Sequence, residues 1–92
     1  MIHRVEISRF AAKQLRKLPR HIVHNLMIWV LAVEQDGLED VRKVPGYHDE
    51  PLKGDRTGQR SIRLSRAYRA IYEIKGDIAA FVSVEDVSKH RY

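Results

Sequence analysis

The chain is 92 residues long, with a formal net charge of +5, 43% hydrophobic and 32% charged residues and no cysteine. That length leaves room for a single domain, spanning 1–92, and the composition is that of a folded chain, not a disordered one. The lack of cysteine excludes disulfides and thiolate metal sites and favours a reducing cytoplasm, while the first residues, MIHRVEISRF, lack the apolar core of a signal peptide and the longest apolar run, Met27 to Val33, is too short to span a membrane.

In chain order, Ile2 to Ile7 reads as a strand, with Val5 and Ile7 alternating with Arg4 and Glu6. Ser8 is placed to cap a helix over 9–18 that carries Ala11, Leu15 and Leu18 on one face. Pro19 interrupts that helix and opens a second, in which Ile22, Leu26, Trp29, Val30 and Val33 recur at helical spacing until Gly37. Trp29 is expected to anchor the core. A short helical piece is placed around Leu38 to Lys43. The stretch VPGYHDEPLKGDRTG is punctuated by Pro45, Gly46, Pro51, Gly54 and Gly58 and reads as a loop. Beyond it the period changes from helical to alternating. The runs SIRLS, YRAIYEI and AAFVSVE are three strands, with turns at Ser65–Ala67 and Lys75–Asp77. The expected fold is α+β, in the order β-α-α-β-β-β: an antiparallel sheet, formed by the N-terminal strand and a C-terminal three-strand meander, packed against an N-terminal helical hairpin. The spacing of Arg60, Arg63, Arg66 and Arg69 also suits a helical stripe, but the β-branched and aromatic content around them favours strands. The turn near Arg66 resets parity, so Arg63 and Arg69 can share one face of the sheet.

The charge is localised. From Lys53 to Arg69 there are six cations and one anion, so this segment holds the whole net charge and the rest of the chain is balanced. Such a patch is the electrostatic footprint of a phosphate-rich partner.

The run EPLKGDRTG, followed by SIRL and then YRAIY, resembles the RelE/ParE toxin superfamily of bacterial type II toxin–antitoxin systems. LKGDR-x-G is closest to the HigB branch, EPLK also resembles the YoeB branch, and the ending Lys89-His-Arg-Tyr resembles the K-H-x-Y endings of many members. The expected element order is that of the RelE-like fold. The resemblance implies a metal-independent, cofactor-free endoribonuclease, an mRNA interferase that cleaves mRNA on the ribosome and inhibits translation. It also implies an antitoxin partner that covers the basic groove. A related branch, ParE, poisons DNA gyrase without catalysis, and that is the alternative reading.

RNA can be cut by its own 2′-hydroxyl attacking the adjacent phosphorus. Such a site needs a base, an acid and cations on the phosphate oxygens. Glu50 is the candidate base, at the glutamate of the YoeB-like motif; HigB-like proteins tend to carry histidine there. Arg69 matches the family's phosphate-binding arginine, and its guanidinium is a rigid fork of donors. Arg63 and Lys53 are its expected partners at the phosphate. Arg56, Arg60 and Arg66 are expected to hold the backbone of mRNA or ribosomal RNA and to set affinity more than rate. His90 is the candidate acid, and Tyr92 is expected to stack on a base or donate through its hydroxyl. Arg91 separates them, so an extended tail would point them to opposite sides. His48 lies in the site loop, within reach of a substrate, but reads first as a solvated loop residue, and His3 reads as a surface strand residue. His21 and His24, spaced i, i+3, have no evident third metal ligand. No GxGxxG, P-loop, EF-hand or nucleophile elbow is present.

Overall fold

A computed structural model describes residues 1–89 of the chain. Its elements are β1 (Val5–Ile7), α1 (Arg9–Leu15), α2 (Arg20–Asp36), α3 (Leu38–Val41), β2 (Glu50–Pro51), β3 (Gln59–Arg63), β4 (Tyr68–Lys75) and β5 (Phe81–Lys89), with 3₁₀ turns at Pro45–Tyr47 and Gly54–Arg56. The order of strands across the sheet is β1-β5-β4-β3-β2.

Local chemistry sets the helices. The Ser8 side chain accepts from the Ala11 amide at 3.0 Å and starts α1. Pro19, whose carbonyl accepts from Ile22 and Val23, starts α2. α1 is shorter than the sequence suggested, ending at Leu15, because the chain tightens into turns around Lys17 and Leu18 ahead of the proline. The apolar stripe of α2 is buried as expected: Ile22, Leu26, Trp29, Val30 and Val33 face the sheet, where they meet Ile62, Ala70, Tyr72, Val82, Val84 and Val87. The Trp29 and Tyr72 rings lie 5.3 Å apart at 42°, within the range of favourable aromatic pairs. Among the described residues no helix is long and apolar enough to cross a membrane.

Three features depart from the sequence reading. The sheet is mixed, because β1 runs parallel to β5, with Val5 opposite Val82 and Ile7 opposite Val84. Tight turns force antiparallel pairing only on the strands they join, and nearly the whole chain separates β1 from β5. The loop after α3 carries a short edge strand: Glu50 pairs with Ser61 and Pro51 with Arg60. A proline fits there because an edge position needs no donor from it. Finally, β5 extends to Lys89. Its register against β4 shifts between Ile71, opposite Asp86, and Tyr72, opposite Val84, so Glu85 is an extra residue in a bulge. The bulge resets parity and lets Val87 join Val82 and Val84 in the core.

The β4–β5 turn makes one backbone requirement explicit. Gly76 has φ +89, and a Cβ there would lie 2.6 Å from the carbonyl oxygen of Ala79. Gly76→Ala is expected to lower stability by about 1–3 kcal/mol, read as a lower urea midpoint with an unchanged m-value.

Candidate functional site

The helices cover one face of the sheet. The other face is organised by strand register. Arg63 on β3 stands directly opposite Arg69 on β4, which in turn stands opposite Ser88 on β5. The neighbouring row runs Glu50, Ser61, Ile71, Asp86. Continued by two residues, the Glu50–Ser61 register brings His48 to Arg63, and the His48 Nε2 lies 3.4 Å from Arg63 Nη1. Glu50 reaches diagonally to Arg69, whose Nη2 donates to Oε1 at 3.4 Å. Glu50, Arg63 and Arg69 therefore come together on one surface, with His48 beside them. Below them lies a concavity of about 460 Å³, lined by Leu52, Ser61, Arg69, Ile71, Asp86 and Ser88 among others. Ser61, only 2% exposed, lies on its floor side.

The loop bearing Glu50 is held from behind. Asp49, whose side chain is 1% exposed, accepts from Arg60 Nε at 2.5 Å and from the Tyr72 hydroxyl at 2.5 Å. Burial first, and then the hydrogen bond and charge of Asp49, push the Tyr72 hydroxyl far above its usual range, so it remains protonated and donates. Asp49 faces inward, while its neighbours His48 and Glu50 are exposed on the outer side, where they reach Arg63 and Arg69. His48 has φ 46 and is the only non-glycine with positive φ among the described residues. It marks the point where the loop turns onto the sheet edge.

The predicted cations separate into two groups. Arg63 and Arg66 are exposed, Arg66 at the β3–β4 turn, and Lys53 is exposed one residue beyond Leu52. Arg60 does not join them: β3 alternation turns it to the other face, onto Asp49. Arg56 bridges Asp86 at 3.1 Å and Gln59 at 3.1 Å. With Arg69 on Glu50, three of the six cations in the basic segment are thus engaged by acidic side chains brought in from outside it. Asp86 is held from its other side by Gln14, which donates to it at 2.8 Å and accepts from the Val87 amide at 2.6 Å. His90 and Tyr92 lie outside the described residues.

The sequence reading passed over Asp49, Ser61 and Asp86, and it ranked His48, in the site loop, as a solvated residue ahead of a substrate contact. Histidine tolerates the left-handed region better than most residues, so the run Gly-Tyr-His-Asp held a signal for a turn at His48. No local pattern links Asp49 to Tyr72. A second hollow, about 320 Å³ between α2 and the 3₁₀ turn at Pro45–Tyr47, is lined by Asn25, Ile28, Val44, Tyr47, Leu64 and Arg63; it is mostly apolar and has no carboxylate or imidazole in its lining. Among the described residues no three His, Cys, Asp or Glu side chains gather as a metal site would require.

A helical hairpin against this sheet order, with a basic open face, is the fold of the RelE-like toxins. The chain matches the toxin–antitoxin complex RelBE2 from Mycobacterium tuberculosis at a TM-score of 0.71 and 22% identity, covering 98% of this chain and 100% of that one. It matches the archaeal RelE–RelB complex from Pyrococcus horikoshii at 0.70 and 22%, covering 97% and 96%. A variant of YafQ from Escherichia coli matches at 0.72 and 18%, covering 94% and 91%. At these identities the likeness is one of fold. No protein-family model and no curated protein sequence matches the chain.

Proposed function

We propose that this chain is the toxin of a type II toxin–antitoxin pair, a member of the RelE/ParE superfamily, and that it cleaves mRNA on the ribosome. The observation that carries the reading is the Arg63–Arg69 pair. Two like charges directly opposite on neighbouring strands destabilise a sheet, and these two share the surface with a carboxylate and an imidazole. An anion between the guanidiniums removes the repulsion and takes donors from both forks. A phosphodiester is such an anion, and the neighbouring groups supply its chemistry. Glu50 takes the 2′-hydroxyl proton, the 2′-oxygen attacks phosphorus, and Arg63 and Arg69 stabilise the added charge. The products are a 2′,3′-cyclic phosphate and a 5′-hydroxyl end. Lys53 and Arg66 lie where a longer strand can be held, and they contribute affinity and salt dependence. Arg60 is assigned to the scaffold, and Arg56 to the bridge with Asp86. The solved complexes from Mycobacterium tuberculosis and Pyrococcus horikoshii pair their toxins with antitoxins; for this chain the expected partner is an antitoxin that presents acidic groups to the same arginines.

The test is to map mRNA 5′ ends after brief expression of the wild-type chain. New 5′-hydroxyl ends at a fixed position within codons are the expected result. Intact mRNA would overturn it, and intact mRNA with gyrase-dependent DNA breaks would identify the ParE-type activity instead.

A further inference from the structure

We propose that His48 is the proton donor of this site, delivering a proton from its imidazole to the 5′-oxygen as that oxygen leaves; the proposal rests on the nuclease reading above. Three observations converge on it. The first is position. His48 Nε2 is 3.4 Å from Arg63, Glu50 is 3.4 Å from Arg69, and Arg63 and Arg69 face each other. The two groups able to move protons thus each touch a different arginine of the pair that would grip the phosphate.

The second is the means of holding it there. His48 adopts φ 46 immediately before the buried carboxylate of Asp49, which is fixed by Arg60 and Tyr72. A left-handed residue costs free energy unless its surroundings impose it. Here the clamp on Asp49 imposes it, and the result is an exposed imidazole aimed along the arginine row instead of into solvent beyond the loop.

The third is chemical elimination. An ionised carboxylate only accepts, so Glu50 suits the 2′-proton and not the leaving oxygen. Guanidinium groups do not give up protons in proteins. Asp86 is occupied by Gln14 and Arg56, and Lys53 sits on the outer loop. Of the described side chains in the two rows, only an imidazole both carries and releases a proton near neutrality. Arginine has donors alone, so in the free protein Arg63 presents an N–H towards Nε2. A phosphate oxygen that takes the Arg63 donors leaves Nε2 facing the same phosphate. In the step itself the 2′-oxygen–phosphorus bond forms as its proton passes to Glu50. Once the phosphate has taken the Arg63 donors, Nε2 is free to take a proton from solvent; the phosphorus–5′-oxygen bond then breaks with its electron pair on oxygen, and that oxygen receives this proton from Nε2.

The experiment compares wild type, His48→Asn and Arg69→Ala on two RNAs of one sequence, each supplied free and on ribosomes. One RNA has an ordinary phosphodiester at the cut site; the other has sulfur in place of the bridging 5′-oxygen, which leaves as a thiolate without needing a proton. Asparagine tolerates the left-handed backbone but cannot act as the acid. His48→Asn should slow cleavage of the ordinary RNA by about 10²–10⁴-fold and cut the sulfur-substituted RNA at the wild-type rate. Equal loss on both RNAs would show that His48 only shapes the site, and no loss on either would put the donor elsewhere, His90 being the next to test; both results overturn the proposal. Arg69→Ala should lose both RNAs. If it cuts them as well as wild type does, or if wild type cuts neither, the nuclease reading falls and the role of His48 falls with it.

Discussion

Arg69→Ala is expected to reduce RNA cleavage by about 10²–10³-fold, the cost of removing one preorganised donor from a developing anion, while leaving the protein as stable as wild type or slightly more so. The two halves of this expectation come from the same geometry. Among the described residues Arg69 is held only by Glu50, through one 3.4 Å contact between side chains that are 31% and 56% exposed. A pair so solvated contributes about 0–1 kcal/mol. Against it stands the cross-strand repulsion from Arg63, worth up to roughly 1 kcal/mol in the opposite sense. The terms offset, so a residue central to the chemistry carries almost no structural weight. Urea titration should give an unchanged or higher midpoint, and cleavage kinetics on the same preparation should show the loss. A fall in stability large enough to explain the lost activity would make Arg69 a scaffold residue and remove the main support for phosphate binding. Restoring the charge as lysine should recover only part of the rate, because lysine lacks the fork that spans two oxygens.

How much of this was legible in the sequence depended on whether the signal was local. The stripe on α2 was readable because five apolar positions repeat at one period and end at Gly37. The shared face of Arg63 and Arg69 followed from strand parity across a short turn, and the register bears it out. The bulge at Glu85 was not readable: Val82, Val84 and Val87 break the period of two, and a strand rule stops where the alternation does. The parallel edge strand β1 was hidden for a different reason. Its direction depends on where the last strand ends up, which no local pattern encodes. The basic segment taught the same lesson in reverse. The sequence reading set Arg56, Arg60 and Arg66 aside together to hold the RNA backbone, yet register turns Arg60 inward onto Asp49, and the bridge to Asp86 ties down Arg56.

That inward turn supplies the larger stability prediction. Asp49→Ala is expected to cost about 3 kcal/mol and to impair cleavage as well. Asp49 is 1% exposed and accepts from both Arg60 and Tyr72. Its removal strands the Tyr72 hydroxyl, which sits in the core beside Trp29 and donates to no other acceptor among the described residues; leaving such a donor unpaired costs about 1–3 kcal/mol. It also strands Arg60, and breaking a buried ion pair costs about 3–5 kcal/mol. Arg60 keeps 22% of its side chain in contact with solvent, so water recovers part of that loss and the sum settles near the lower figure. For a domain whose total stability is typically about 5–15 kcal/mol, this shows as a markedly lower urea midpoint. Asp49→Asn retains an acceptor for Tyr72 but not the charge for Arg60, so it should fall between wild type and alanine. In the double variant Asp49→Ala/Tyr72→Phe the hydroxyl is no longer stranded, and the combined loss should be smaller than the sum of the single losses. Additive losses would mean that the two side chains stabilise the fold independently. The loop carrying His48 and Glu50 would then have to be held against the sheet by its backbone pairing with β3 alone.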